Sequence, residues 1–141
     1  MKIVYANESI FDHKIMTDRL KEINPDFEIV CCRNTFALER AVNNECDILI
    51  TELDLGHSPR AVVDVIKRFK KKNKKLKVVI ITVYSFHEVE NELKRIKYDA
   101  FESIPVRDDK LKQIIEGVCR SEDNSSFFKE IFRRKQLSVV K

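Results

Sequence analysis

Only two glycines, Gly56 and Gly117, occur in the 141 residues. A Walker-type phosphate loop or a dinucleotide fingerprint needs several at fixed spacing, because glycine lets the backbone close on phosphate oxygens. Both modes of nucleotide binding are excluded. Cysteine is sparse as well. Cys31, Cys32, Cys46 and Cys119 form no C-x-x-C pair and share no zinc-ligand spacing with histidine, so buried reduced thiols are expected. His13, His57 and His87 lie on separate segments without a matched cysteine or serine, and the chain is not expected to be an enzyme. No apolar run approaches the ~18 residues that cross a bilayer. The start, Met1-Lys2-Ile3-Val4-Tyr5, is too short an apolar stretch for a secretory signal. No membrane partner and a cytoplasmic location are expected. A large charge of one sign is also missing: 27 basic against 23 acidic residues give +4, which does not by itself argue for nucleic acid.

What is present is a globular balance, 43% apolar against 35% charged, in a length that suits about one domain. There is no solenoid-type repeat. Short β-rich apolar runs alternate with stretches of helical period, the pattern from which parallel α/β sheets are inferred. Five strand and helix units can be counted. The runs are Lys2 to Ala6, Phe27 to Cys32, Asp47 to Thr51, Leu76 to Val83 and Tyr98 to Ile104. The third and fourth are nearly continuous apolar stretches, as expected of central strands covered on both faces. After Ser9, a plausible N-cap, the residues Ile10, Phe11, Met16, Leu20 and Ile23 give one apolar face. Asn34 or Thr35 caps a second helix carrying Phe36, Leu38, Ala41 and Val42. Ala61, Val62, Val65, Ile66 and Phe69 mark the third, and Phe86, Val89, Leu93 and Ile96 the fourth. Asp108 or Asp109 caps the fifth, whose Leu111, Ile114, Ile115 and Val118 face the sheet.

In an open parallel sheet function concentrates outside the carboxyl ends of the strands. The residues there are Ala6-Asn7-Glu8, Glu52 to Gly56, Thr82-Val83 and Ile104-Pro105. In the number, order and spacing of its units, residues 2 to about 120 resemble the receiver domain of bacterial response regulators. That resemblance implies a three-layer α/β/α doubly wound sandwich with a five-stranded parallel sheet in the order 2-1-3-4-5, flavodoxin-like. The family places an acidic pair after the first strand, a phosphorylated aspartate ending the third, a hydroxyl ending the fourth, and a lysine before a proline ending the fifth. Thr82 falls on the hydroxyl position; taken alone it would be a β-branched residue suited to a sheet. Phe101 falls on the aromatic switch position and Pro105 on the proline. Ile104 stands where the lysine belongs, Glu52 where the phosphoacceptor belongs, and Ala6, Asn7 and Glu8 where the acidic cluster belongs.

Phosphoryl transfer needs magnesium held by hard oxygen ligands and a cation to hold the product. With Ala6, Asn7 and Ile104 in place, the resemblance implies a pseudo-receiver, a phosphorylation-independent protein-protein interaction module in signal transduction or transcription control. Glu52 can partly stand in for a phosphoaspartate, and no metal or other cofactor is expected. The family's surface of fourth helix, fifth strand and fifth helix, near Phe86, Phe101 and Ser103, implies a protein partner or a homodimer. A rival register makes Asp54 the phosphorylated residue, with magnesium, because a two-residue shift keeps side-chain parity in a strand. A further alternative is nucleic-acid binding through the basic run from Lys67 to Lys77 and a basic tail. No aromatic is interleaved among those lysines, and a solvated helix end accounts for them. The receiver-like part is expected over 1–120, followed at 121–141 by a polar linker, Ser121 to Ser126, and an amphipathic tail around Phe127, Phe128 and Phe132.

Overall fold

The computed structural model describes residues 1–43 and 45–123. Five strands and five helices alternate without exception: β1 (Lys2–Ala6), α1 (Ile10–Ile23), β2 (Glu28–Cys32), α2 (Thr35–Ala41), β3 (Ile48–Thr51), α3 (Pro59–Lys72), β4 (Lys77–Thr82), α4 (Phe86–Leu93), β5 (Ala100–Ser103) and α5 (Asp108–Asp123). The strands form one parallel sheet in the order β2-β1-β3-β4-β5. The expected doubly wound architecture is therefore the observed one.

Period-two alternation sorts the strand side chains into two cores. Ile3, Tyr5, Ile48, Ile50, Val79 and Ile81 pack with Met16 and Leu20 of α1 and Leu111, Ile115 and Val118 of α5. Val4, Ala6, Leu49, Val78 and Ile80 pack on the other side with Leu38 of α2, Val62, Ile66 and Phe69 of α3, and Val89 and Leu93 of α4. Each fully buried Leu or Ile contributes roughly 1.5–3 kcal/mol, so the two cores carry most of the fold. The vicinal Cys31 and Cys32 point into opposite cores, as alternation requires.

Two caps expected from the sequence are made. Ser9 Oγ accepts from Asp12 N at 3.2 Å, and Asn34 Oδ1 from Ala37 N at 2.8 Å. The cap of α5 differs from expectation. Leu111 N donates to Arg107 O, which makes Arg107 the N-cap, while Asp108 and Asp109 sit in the first turn where carboxylates suit the helix dipole. Asp108 also pairs with Arg19 of α1 at 2.7 Å. α5 continues to Asp123, three residues into the stretch expected as a linker; the phenylalanine-rich tail lies outside the described residues.

The apolar faces were expected to include the first residues of several helices, and there the structure corrects the sequence. Ile10 and Phe11 of α1 and Phe36 of α2 are 63%, 72% and 68% exposed, and Phe86 of α4 is also exposed. These side chains stand at the very start of α1, α2 and α4, and burial begins further along each helix, at Met16, Leu38 and Val89.

Candidate functional site: the crevice at the strand carboxyl ends

β3 stops at Thr51, and the segment that follows is anchored by its own leucines. Leu53 and Leu55 turn into the core beside α3 and are essentially inaccessible, while Asp54 between them faces solvent. Glu52 N donates to Ala6 O at 2.9 Å, which extends the β1–β3 pairing by one bond and turns the Glu52 side chain into the crevice. The sequence alone left Glu52 and Asp54 as rivals because strand parity treats them alike. The strand has ended before either is reached, so parity does not apply: Glu52 is buried in the crevice, and Asp54, between buried Leu53 and Leu55, is exposed.

Glu52 is only 5% exposed. Its Oε1 accepts from Leu53 N at 2.7 Å, from Asp54 N at 3.1 Å and from the Thr82 hydroxyl. Its Oε2 accepts from Val83 N at 3.1 Å. Thr82, itself fully buried at the end of β4, accepts from Tyr84 N at 3.3 Å. The result is a relay from the β4–α4 loop through the Thr82 hydroxyl to Glu52. A buried carboxyl group without donors would cost several kcal/mol, and here four donors converge on it. Among the described residues no buried side-chain polar atom lacks a partner.

Ala6, Asn7 and Glu8 differ in their surroundings. Ala6 is fully buried, with its methyl group in the same core as Leu38, Leu53 and Leu55. The Asn7 side chain is turned away: its Nδ2 donates to Tyr5 Oη at 3.1 Å and its Oδ1 accepts from Ser9 N at 2.8 Å. Glu8 is exposed and lies over Gly56, where a Cβ would meet its Oε1 at 2.7 Å. The exposed Glu8 side chain can swing aside from such a Cβ, but Gly56 has φ +85°, a backbone conformation that side-chain-bearing residues rarely adopt. Burial pushes the Tyr5 phenol up to about 12, with the Asn7 bond opposing it.

At β5, Ile104 is half exposed, its N–H donating to Thr82 O at 2.9 Å, and the Ile104–Pro105 bond is cis. No ammonium occupies that position. Phe101 is half-buried against the α2–α4 core and meets Phe86 edge-on, with ring centroids 5.6 Å apart. Ser103 Oγ donates to Tyr84 O at 2.7 Å, tying β5 to the loop that holds Thr82.

These residues do not fit the magnesium that the receiver resemblance implies. Ala6 supplies no ligand, the Asn7 oxygen is taken by Ser9, and both Glu52 oxygens are already acceptors of protein donors. Among the described residues no three His, Cys, Asp or Glu side chains gather into a group that could hold a metal ion.

The other candidates lie elsewhere. The basic run falls at the far end of α3 and the start of β4, across the sheet from the crevice. Lys70 Nζ closes that end by donating to Lys74 O at 3.3 Å and Leu76 O at 2.7 Å, and desolvation holds its pKa below the usual lysine value. Arg68 pairs with Glu39. Lys67, Lys71, Lys72, Lys74 and Lys75 are exposed. The Cys32 and Cys46 thiols are buried, which pushes their pKa up to about 12 and about 11, so neither is a ready nucleophile. His13, His57 and His87 sit on α1, the β3–α3 loop and α4 and do not meet. No helix among the described residues is long and apolar enough to cross a membrane.

No protein-family profile matches the chain, and no curated protein matches it in sequence. Solved structures do match. A response regulator receiver domain from Clostridium thermocellum superposes with a TM-score of 0.71 at 15% identity, over 86% of this chain and 95% of that one. A LuxR-family DNA-binding response regulator from Staphylococcus aureus gives 0.70 at 18% identity, over 83% and 97%. The chemotaxis response regulator CheY4 of Vibrio cholerae gives 0.68 at 17%, also over 83% and 97%. At such identities a likeness establishes architecture: the chain has the flavodoxin-like fold seen in receiver domains, and its function has to be argued from its own crevice.

Proposed function

We propose that the chain is a pseudo-receiver, a phosphorylation-independent protein-protein interaction module in signal transduction or transcription control. The observation that carries the reading is the Glu52 carboxyl group, buried at the phosphoacceptor position and bonded to Thr82, Val83 N and the two amides that follow it. In a phosphorylatable receiver the hydroxyl at the end of β4 senses a phosphoryl group. Here Thr82 has a permanent partner built into the chain. A carboxyl group offers two acceptor oxygens against a phosphoryl group's three, so the mimicry is partial. It is nonetheless sufficient to occupy the hydroxyl and the adjoining loop continuously.

The surroundings support the same reading. Ala6, fully buried at the end of β1, adds no second carboxylate to this end of the sheet. Missing metal ligands and a missing lysine together take away contacts worth about 3 kcal/mol each to a phosphoryl-transfer transition state. The surface of α4, β5 and α5, where Phe86 and Phe101 form an aromatic pair next to Ser103, is proposed as the face that meets a protein partner or a second copy.

Treatment with acetyl phosphate and magnesium, followed by a phosphate-affinity gel, tests the proposal. The unmodified chain is expected to give no retarded band. A retarded band that disappears in Asp54→Ala would replace the pseudo-receiver reading by a phosphorylated receiver.

A further inference from the structure

At the end of the molecule remote from Glu52, a groove of about 380 Å³ opens between the last turns of α1 and α5. Its wall is formed by Met1, Ile23, Phe27, Ile115, Cys119 and Arg120. Ile115 and Phe27 form a buried apolar floor, Ile23 is half-buried, and Met1 is 43% exposed at the rim. Cys119 is partly exposed, and its Sγ lies 3.4 Å from Met1 Sδ. The volume is at the low end of the ~300–1,000 Å³ typical of sites that enclose organic groups.

We propose that the occupant of this groove is the chain's own C-terminal segment, Phe127 to Phe132, bound through Phe127 and Phe128. The described helix α5 ends at Asp123, one turn beyond the groove wall at Cys119 and Arg120. Phe127 follows four residues later, so at about 3.3–3.6 Å per residue it reaches back over the groove with chain to spare. The intervening Asn124-Ser125-Ser126 is polar and suited to a turn. Three phenylalanines in six residues need an apolar surface, and this one is the nearest along the chain. A linker this short gives the segment an effective concentration on the order of millimolar, which a separate partner would have to exceed.

Thiol footprinting of the folded full chain tests the proposal. In a Cys31→Ser background Cys119 is the remaining partly exposed thiol among the described cysteines, and buried Cys32 and Cys46 report whether the fold is intact. Adding Phe127→Ser with Phe128→Ser is expected to raise the alkylation rate of Cys119 about tenfold or more while Cys32 and Cys46 stay unreactive. An unchanged Cys119 rate would overturn the proposal. Protection of Cys119 in the parent that weakens on hundredfold dilution would also overturn it, because the groove would then hold a second copy. Hydrogen exchange of the unsubstituted full chain needs no variant. Slowed exchange over 127–132 is expected, and exchange at random-coil rates there would overturn the assignment.

Discussion

At the carboxyl ends of the strands a single acidic side chain, Glu52, is withdrawn from solvent and answered by four donors, while around it Ile10, Phe11, Phe36, Val83 and Ile104 are all at least half exposed, beside exposed Glu8 and Asp54. At the amino ends the arrangement is reversed. There Asp47 and Asp99 stay near the surface and cap strand starts, accepting from Lys2 N and Val78 N at 2.8 Å each, amid exposed lysines. Acidic groups on both sides bond backbone amides. The difference is that water can replace the partners at the amino ends and cannot at Glu52, so the same chemistry has very different consequences when it is removed.

Three variants sharpen or break this contrast. Glu52→Ala has the largest expected effect: it orphans the amides of Leu53, Asp54 and Val83 and the Thr82 hydroxyl, each costing ~1–3 kcal/mol if left unpaired. Partial relaxation of the loop leaves an expected loss of about 3–4 kcal/mol, measured by urea unfolding. A loss under about 1 kcal/mol would show that water enters and that the crevice is no different from the far end.

Ala6→Asp comes next. It buries a carboxylate in an apolar core without a partner, and desolvation raises the folded-state pKa of such a group. Groups whose folded pKa is raised lend stability at low pH and withdraw it as pH climbs through that value. The variant is expected to lose about 2–3 kcal/mol at pH 7 and distinctly less at pH 4, followed by thermal melts at both. Equal losses at the two values would mean that crowding, not charge, makes alanine the fitting residue.

The smallest effect is expected from converting Lys71, Lys72, Lys74 and Lys75 together to glutamine. All four are exposed, and substitutions of that kind stay within about 0.5 kcal/mol each and partly cancel. A total change below about 1 kcal/mol is expected, with no retardation of DNA by the unmodified chain at low salt. Salt-sensitive DNA retardation that the quadruple variant abolishes would assign the amino-terminal end a nucleic-acid role.

Much of this was legible in the residues. The central strands announced themselves as continuous apolar runs because helices cover both faces, and Ser9 and Asn34 announced their helices because their side chains bond the free amides. Thr82 was expected near the end of the fourth run, and β4 does end there. Helix beginnings were misjudged for a definite reason: the periodicity that marks Met16 and Leu20 as buried extends back through Ile10 and Phe11, and nothing local tells where the sheet beneath them stops. The signal that could have separated Glu52 from Asp54 was the Leu53-x-Leu55 pair, whose apolar side chains pull that segment inward on either side of Asp54.

The sequence by itself determined the order of elements and the two-sided burial of β3 and β4. These follow from side-chain chemistry and alternation, which are local. Only the tertiary structure decided that Glu52 is the inward residue and that its carboxyl group closes on Thr82 and Val83, because those partners lie some thirty residues away and meet it only when β3 and β4 pair. A buried acceptor and its donors are a property of the assembled sheet, since nothing else removes the water that would otherwise take their place.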